Sequence, residues 1–355
     1  MAIKAVIADD SVIFRRVMKE ALGRTPDVIL AGTAPDGEAA VQMVKAHQAD
    51  VVFLDIFMPR MDGVQAMARI RAESPRTQIV MVSGVAGRDA AVVVSALKSG
   101  ALDFISKPTG FDPRKNAEEL LAEVERVLAA VRARISPGAQ RSAEHGRAPA
   151  RVSTTTSPGP FSLVVIGSST GGPEALAEVI PRLPANFPAP VLIVQHMPPV
   201  FTAALAGILQ KQSALKVREA LDGDKLEPGV ALIAPGGSHM VVRKTATGNI
   251  IGLTNDPPEN SCRPAVDTLF RSIMESWRGG GWVLSVILTG MGVDGRAGVG
   301  ELKKRNCYSI VQSRETSLIY GMPAAVEEAG LADSVVHLPA IADEIMRLLR
   351  NGGVK

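Results

Sequence analysis

A chain of 355 residues is long enough for two domains that each bury a core, and no apolar run approaches the ~20 residues of a membrane span. The formal net charge of +3 is accounted for by residues 133–160, which hold Arg134, Arg141, Arg147 and Arg151 against Glu144 alone; two near-neutral domains argue against nucleic-acid binding, which needs a basic face. Cys262 and Cys307 match neither a metal-ligand spacing nor a disulfide framework, and Met1-Ala-Ile-Lys-Ala-Val6 begins a strand rather than a signal peptide, so a cytoplasmic protein without direct membrane insertion is expected.

Residues 1–130 alternate short apolar runs with amphipathic helical patterns. Strands are expected over 3–8, 28–32, 51–54, 79–82 and 102–105, and helices near 11–23, 36–47, 63–74, 87–99 and 114–132. Five strand–helix units predict a flavodoxin-like parallel sheet with helices on both faces, a fold that binds ligands beyond the carboxyl ends of its strands. Asp9 and Asp10 follow the first strand, Asp55 the third, Ser83 ends the fourth, and Lys107-Pro108 follows the fifth. Three carboxylates converging on one edge repel one another unless a cation sits among them, and hard oxygen ligands suit Mg²⁺. Lys107 and the Ser83 hydroxyl are then placed to contact phosphate oxygens, and a carboxylate can itself accept a phosphoryl group. One such residue would be an ordinary solvated side chain; a matched set across the strand ends indicates a site.

On these residues the segment 3–125 resembles the receiver domain of bacterial response regulators: Ala8-Asp9-Asp10-Ser11, Leu54-Asp55-Ile56-Phe57-Met58-Pro59-Arg60-Met61-Asp62-Gly63, and Ser106-Lys107-Pro108. The resemblance implies that a partner histidine kinase phosphorylates Asp55, with Mg²⁺ held by Asp10, Asp55 and a backbone carbonyl. It puts Ser83 at the switch hydroxyl and Phe104 at the aromatic partner of that switch, alongside Asp9 and Lys107.

Residues 131–160 are rich in Pro, Gly, Ser, Thr, Ala and Arg and nearly empty of large apolar side chains, so a flexible linker is expected there. Residues 161–350 resume the alternation. Strands are expected at 163–166, 191–195, 230–233, 240–243, 250–253, 283–288 and 308–311, and helices at 173–181, 199–211, 264–277, 295–304, 322–329 and 340–350. This predicts a doubly wound, mostly parallel α/β domain with an inserted hairpin near 230–253.

Gly167-Ser168-Ser169-Thr170-Gly171, between an apolar strand and Pro173 at a helix start, fits the G-x-S-x-G pattern of a nucleophile elbow. Gly-rich strand-to-helix turns also cradle phosphates, but this one matches neither phosphate-binding pattern. Ser169 is the candidate nucleophile, with following backbone N–H groups to hold an oxyanion. Among the histidines, His47 ends a receiver helix, His145 lies in the linker and His337 sits in an edge strand near the C-terminus. His239, on a loop, stays open as a base. His196 directly follows the strand 191–195 on the same edge as Ser169 and is preferred. Asp294, the carboxylate of the glycine-dense loop Thr289-Gly-Met-Gly-Val-Asp-Gly-Arg-Ala-Gly298, is the candidate acid. Its bland reading is a cap for the helix beginning at Gly295. The order Ser169, His196, Asp294 differs from that of α/β-hydrolases, which disfavours that fold.

Residues 161–350 resemble the catalytic domain of the chemotaxis protein-glutamate methylesterase family, CheB. The resemblance rests on Ile166-Gly-Ser-Ser-Thr-Gly-Gly172, Gln195-His-Met-Pro-Pro199, Ala220-Leu-Asp-Gly-Asp224, Ala234-Pro-Gly-Gly-Ser-His-Met240, Arg263-Pro-Ala-Val-Asp267, Leu288-Thr-Gly-Met-Gly-Val-Asp-Gly295 and Tyr320-Gly-Met-Pro323. It implies nucleophile Ser169, base His196 and acid Asp294, an oxyanion loop near Thr170 and Met291, and demethylation of glutamates on methyl-accepting chemotaxis receptors, with glutamine deamidation beside it. No cofactor is implied for the esterase chemistry. Val293, Arg296 and Arg314 depart from the family's usual residues. A non-catalytic receptor-binding signalling adaptor is the alternative, and a DNA-binding response regulator is disfavoured by the neutral output domain.

Overall fold

The structure is a computed structural model describing residues 2–84, 87–108, 110, 112–135, 159–246 and 248–351. The chain divides into two compact units, Met1–Arg141 and Ser142–Lys355. Most of the expected linker, including His145, lies outside the described residues. At its start the structure differs from the expectation: the last helix of the first unit, Pro113–Ile135, continues past residue 131. Val127, Leu128, Ala130 and Val131 are fully buried and Ile135, one turn on, is half-buried, while Arg132 and Arg134 complement the dipole of its last turn.

The first unit alternates β1 (Ile3–Ala8), α1 (Val12–Gly23), β2 (Val28–Ala34), α2 (Gly37–His47), β3 (Val51–Asp55), α3 (Gly63–Glu73), β4 (Gln78–Ser83), α4 (Gly87–Lys98), β5 (Asp103–Ser106) and α5 (Pro113–Ile135). The strands pair in parallel in the order β2-β1-β3-β4-β5. Helices cover both faces, so β3 reads as an unbroken apolar run that is buried throughout. Side-chain caps set the helix starts: Ser11 accepts from the Phe14 N–H, Asp36 from Ala39, and Asp62 forms a capping box with Gln65. The order reverses between β1 and β3, the place where such sheets bind ligands. Asp9, Asp10 and Asp55 sit there.

The second unit carries a seven-stranded parallel sheet. Its strands are β6 (Phe161–Ser168), β7 (Val191–Gln195), β8 (Lys216–Glu219), β9 (Val230–Ile233), β12 (Trp282–Ile287), β13 (Cys307–Gln312) and β14 (Ser334–Val336), in the order β14-β13-β12-β6-β7-β9-β8. A separate antiparallel hairpin joins β10 (His239–Thr245) to β11 (Gly248–Thr254). The expected hairpin is therefore corrected at its start: residues 230–233 belong to the parallel sheet, between β7 and β8. Helices α6 (Gly172–Val179), α7 (Phe201–Gln212), α8 (Val266–Ser276), α9 (Arg296–Leu302), α10 (Met322–Glu328) and α11 (Leu338–Asn351) complete the unit. Leu269, Phe270 and Ile273 of α8 join Leu163, Val165 and Ile287 of the sheet in one core. The sheet order reverses between β6 and β12, so loops after β6, β7 and β12 open onto one crevice. Those loops carry Ser169, His196 and Asp294.

Candidate active site

Ser169 follows the last residue of β6. Its N–H donates to the Thr289 carbonyl at 3.0 Å, and its own carbonyl accepts from the Gly172 N–H at 2.7 Å, turning the chain into α6. The turn places its positive φ, +80°, on Gly171, where a Cβ would lie 2.6 Å from the Leu318 Cβ. Ser169 is not among the described non-glycine residues with positive φ. The strained serine of an α/β-hydrolase elbow is thus not reproduced, although its sequence spacing is.

Within β6 and β7, Ser168 is paired with Gln195, so Ser169 and His196 leave neighbouring strands about 4.8 Å apart side by side. A buried amide ties the two exits together. Gln195 Oε1 accepts from the Ser168 hydroxyl at 2.7 Å, while its Nε2 donates to the carbonyls of Ser169 at 2.9 Å and His196 at 3.2 Å. The His196 N–H donates to the Ser168 carbonyl at 3.1 Å.

His196 Nε2 stands 2.7 Å from Asp294 Oδ2. That carboxylate also accepts from the N–H groups of Val266 at 2.7 Å, Asp267 at 3.0 Å and Gly295 at 3.0 Å, and from Asn260 Nδ2 at 2.9 Å. Val266 and Asp267 open α8, so Asp294 occupies the anion position of that helix. The start of α9 is shared: the Gly295 N–H lies 3.0 Å from both Asp294 Oδ1 and Asp267 Oδ1, and Asp267 Oδ1 also accepts from Gly298 at 2.6 Å. Burial opposes ionisation of Asp294, yet His196 and the backbone donors hold it well below the usual carboxylate range. Burial likewise disfavours the imidazolium, but the hydrogen bond that His196 donates to Asp294 raises it above its ordinary value. Burial raises Asp267, against the Gly298 N–H, and the neighbouring Asp294 charge adds to the rise.

Among the described residues no hydrogen bond joins the Ser169 hydroxyl to His196. His196 Nδ1 lies instead 3.4 Å from the Cys262 Sγ. His239 is excluded as a base on geometry, being buried with both nitrogens committed: Nδ1 accepts from the Ala265 N–H at 3.2 Å, and Nε2 meets the Pro257 carbonyl at 3.1 Å. His337 pairs with the Ser313 hydroxyl at 2.6 Å.

The Met291 loop is anchored through Thr289, whose N–H donates to Gln312 at 2.8 Å and whose hydroxyl is 3.0 Å from the Thr170 carbonyl. A Cβ on Gly290 would lie 2.8 Å from the Ser169 Cβ, so glycine lets this loop rest directly against the serine. Among the described residues the Met291 N–H has no acceptor. Sequence reasoning passed over Gln195, Asn260, Cys262 and Asp267 as working residues. Their only signal was that they fell inside or beside the quoted motifs.

In the first unit, ligand atoms of Asp9, Asp10 and Asp55 lie within 4.8 Å of one another. Lys107 Nζ bridges Asp9 at 2.7 Å and Asp55 at 2.9 Å, and lies 4.9 Å from the Phe14 ring centroid. Burial pushes the Asp55 carboxyl up to about 6 against the pull of Lys107, with Asp9 and Asp10 adding to the rise. One lysine against three carboxylates leaves an excess of negative charge and of hard oxygen donors, which fits Mg²⁺. Ser83 is buried with its hydroxyl on the Gly84 carbonyl at 2.9 Å, and Phe104 is buried one strand away.

A phosphoacceptor-type α/β unit followed by an α/β unit with a serine beside a histidine–aspartate pair defines the class of receiver-regulated hydrolases. The chain belongs to the CheB methylesterase family. The family model described as CheB methylesterase matches residues 164–345, and that of the response regulator receiver domain matches residues 5–118. A protein-glutamate methylesterase/protein-glutamine glutaminase of Symbiobacterium thermophilum is 42% identical, over 99% of this chain and 98% of its own length. One of the same description from Desulfotalea psychrophila is 37% identical, over 98% of this chain and 99% of its own. The crystal structure of the Thermotoga maritima CheB methylesterase catalytic domain has 41% identity and a TM-score of 0.51, covering 53% of this chain and 98% of that one. The chain is therefore an enzyme of this family. The adaptor alternative finds no support.

Proposed function

We propose that this chain demethylates glutamate γ-methyl esters on methyl-accepting chemotaxis receptors, using Ser169 as nucleophile, His196 as base and Asp294 as orienting acid. The observation that carries the reading is the 2.7 Å His196–Asp294 pair beside Ser169 at the sheet's switch point. Because Nε2 is committed to Asp294, Nδ1 is the nitrogen that takes the Ser169 proton as the hydroxyl attacks the ester carbonyl. The N–H groups of Met291 and the Thr170 turn hold the oxyanion. His196 returns the proton to the departing methanol, and water then repeats the sequence on the acyl-enzyme. With a glutamine side chain the same steps release ammonia, which is the deamidase reaction.

Asp55 receives a phosphoryl group from a histidine kinase of the chemotaxis type, with Lys107, Ser83, Phe104 and Asp9 as the residues that respond to it. Mg²⁺ held by Asp10 and Asp55 would offset the charge of the phosphoryl oxygens. Among the described residues no helix is long and apolar enough to cross a membrane, which accords with a cytoplasmic enzyme that meets its receptors without inserting. The near-neutral domains accord with a protein that binds no nucleic acid. Methanol release from methylated receptor, with and without acetyl phosphate, tests the reading. Ser169→Ala is expected to abolish release, and a fully active Ser169→Ala enzyme would overturn the assignment.

A further inference from the structure

The segment leading into α8 makes a tight turn whose side chains reach the hydrolytic pair. Glu259 and Cys262 close it through paired backbone bonds, Glu259 N–H to the Cys262 carbonyl at 3.1 Å and Cys262 N–H to the Glu259 carbonyl at 2.8 Å. The two residues between them, Asn260 and Ser261, have φ of 51° and 62°. Two consecutive positive φ values are the pattern of a type I′ turn, for which asparagine followed by glycine is the usual solution. Serine at the second position is strained, and strain that persists points to a constraint imposed by function.

The turn is held from several sides. The Glu259 carboxylate accepts from Thr268 Oγ1 and Arg271 Nη1, each at 2.7 Å. His239 pins the flanks, through the Pro257 carbonyl at 3.1 Å and the Ala265 N–H at 3.2 Å. From this mount, Asn260 Nδ2 donates both to Asp294 Oδ1 at 2.9 Å and to Asp267 Oδ2 at 3.0 Å. Two residues on, the Cys262 Sγ meets His196 Nδ1 at 3.4 Å. One turn therefore touches both members of the acid–base pair, on atoms that the pair's own hydrogen bond leaves over.

We propose that the Glu259–Cys262 turn is a positioning element for the hydrolytic pair: Asn260 fixes the Asp294 carboxylate, and the Cys262 thiol occupies the Nδ1 lone pair of His196 in the resting enzyme. The inference rests on the reading of His196 as the general base. A ring held by Asp294 alone can still rotate about that one bond, and a second contact on Nδ1 fixes its plane. A thiol suits the task because it is a weak donor, so the Ser169 hydroxyl can displace it when substrate arrives.

The test uses the full chain and methylated receptor, comparing wild type with Cys262→Ala, Cys262→Ser and Ser169→Ala. Cys262→Ala is expected to lower kcat about tenfold to a hundredfold, the range set by misplacing a reacting group by ~1 Å, with KM within about twofold. Cys262→Ser, which keeps a donor at the position, is expected to recover most of that loss. In ¹⁵N-histidine-labelled protein the His196 Nδ1 resonance should move in Cys262→Ala while Nε2, still on Asp294, stays in place. A merely structural cysteine would not shift that one nitrogen. If Cys262→Ala fails to fold, the serine variant and its Nδ1 resonance carry the test, and a wild-type Nδ1 shift with a lowered kcat overturns the proposal. Wild-type or higher kcat in Cys262→Ala also overturns it. Loss of the general-base reading itself would appear separately, as activity surviving in Ser169→Ala.

Discussion

Asp294 shows how one carboxylate serves two purposes. It accepts from His196, Asn260 and the N–H groups of Val266, Asp267 and Gly295, so it is fixed by the fold before it orients anything. The price of that fixation is burial, which the donors more than offset. Asp294→Asn keeps the shape but removes the charge that favours the imidazolium and the correct tautomer. Loss of kcat by ~10⁴ is expected, as for the equivalent change in serine proteases. The pH dependence follows with its sign. Because Asp294 raises His196, the neutral base appears only above a pH higher than ~6.5, the ordinary histidine value. Methanol release should therefore climb with pH through an inflection above that value, and in the residual activity of Asp294→Asn the inflection should move down. Asp267, Glu259, Arg271 and Cys262 are the other titratable groups around the pair, and Asp294→Asn also removes the upward push of its charge on Asp267, Glu259 and Arg271. Stability has the opposite sign: the histidine's contribution is complete below ~6.5, provided Asp294 is still ionised, and is lost as pH rises through the folded value. An unmoved inflection in Asp294→Asn would show that its charge does not govern His196.

At the scale of elements, two helices exchange caps across the crevice. The carboxylate after β12 sits on the first N–H groups of α8, while Asp267 from the first turn of α8 accepts from Gly295 and Gly298 at the start of α9. Neither exchange was legible in the sequence, where Asp294 reads as a cap for its own helix, because the partners are separated by a whole strand. What was legible was local. Apolar β-branched runs located β6, β7 and β12 with the residues at their tips, and Pro173 located the start of α6. The edge strand β8, Lys216–Glu219, was missed because only Val217 is buried and charged residues dominate it. Residues 230–233 were grouped with the hairpin because nearness in sequence says nothing about which sheet a strand joins. Cys262 and Asn260 escaped because a turn's side-chain directions depend on φ values that sequence does not reveal. The cap exchange predicts that Asp267→Ala destabilises the protein by about 1–2 kcal/mol, the cost of losing a helix cap. A lowered Tm in calorimetry would show it. An unchanged Tm would mean that the α9 N–H groups find other acceptors.

At the scale of the whole molecule, the chain joins two α/β sheets that solve the same topological problem and use it differently. Each gathers its working groups where the strand order reverses, between β1 and β3 in the first unit and between β6 and β12 in the second. In the first, burial and two neighbouring carboxylates oppose the charge on Asp55, and Lys107 alone favours it. An acyl phosphate there replaces one negative charge with about two, so it calls for compensating positive charge, such as a bound cation, at the same edge. In the second, Asp294 is already compensated by donors on several sides. The asymmetry accords with the proposed division, regulation on the first sheet and chemistry on the second. Asp55→Asn keeps the shape of the acid pocket while removing the carboxylate proposed to accept the phosphoryl group. Acetyl phosphate is therefore expected to stimulate methanol release from methylated receptor by the wild-type chain and to leave release by Asp55→Asn at its unstimulated rate. Equal stimulation of both proteins would place the regulatory phosphoryl group on some residue other than Asp55.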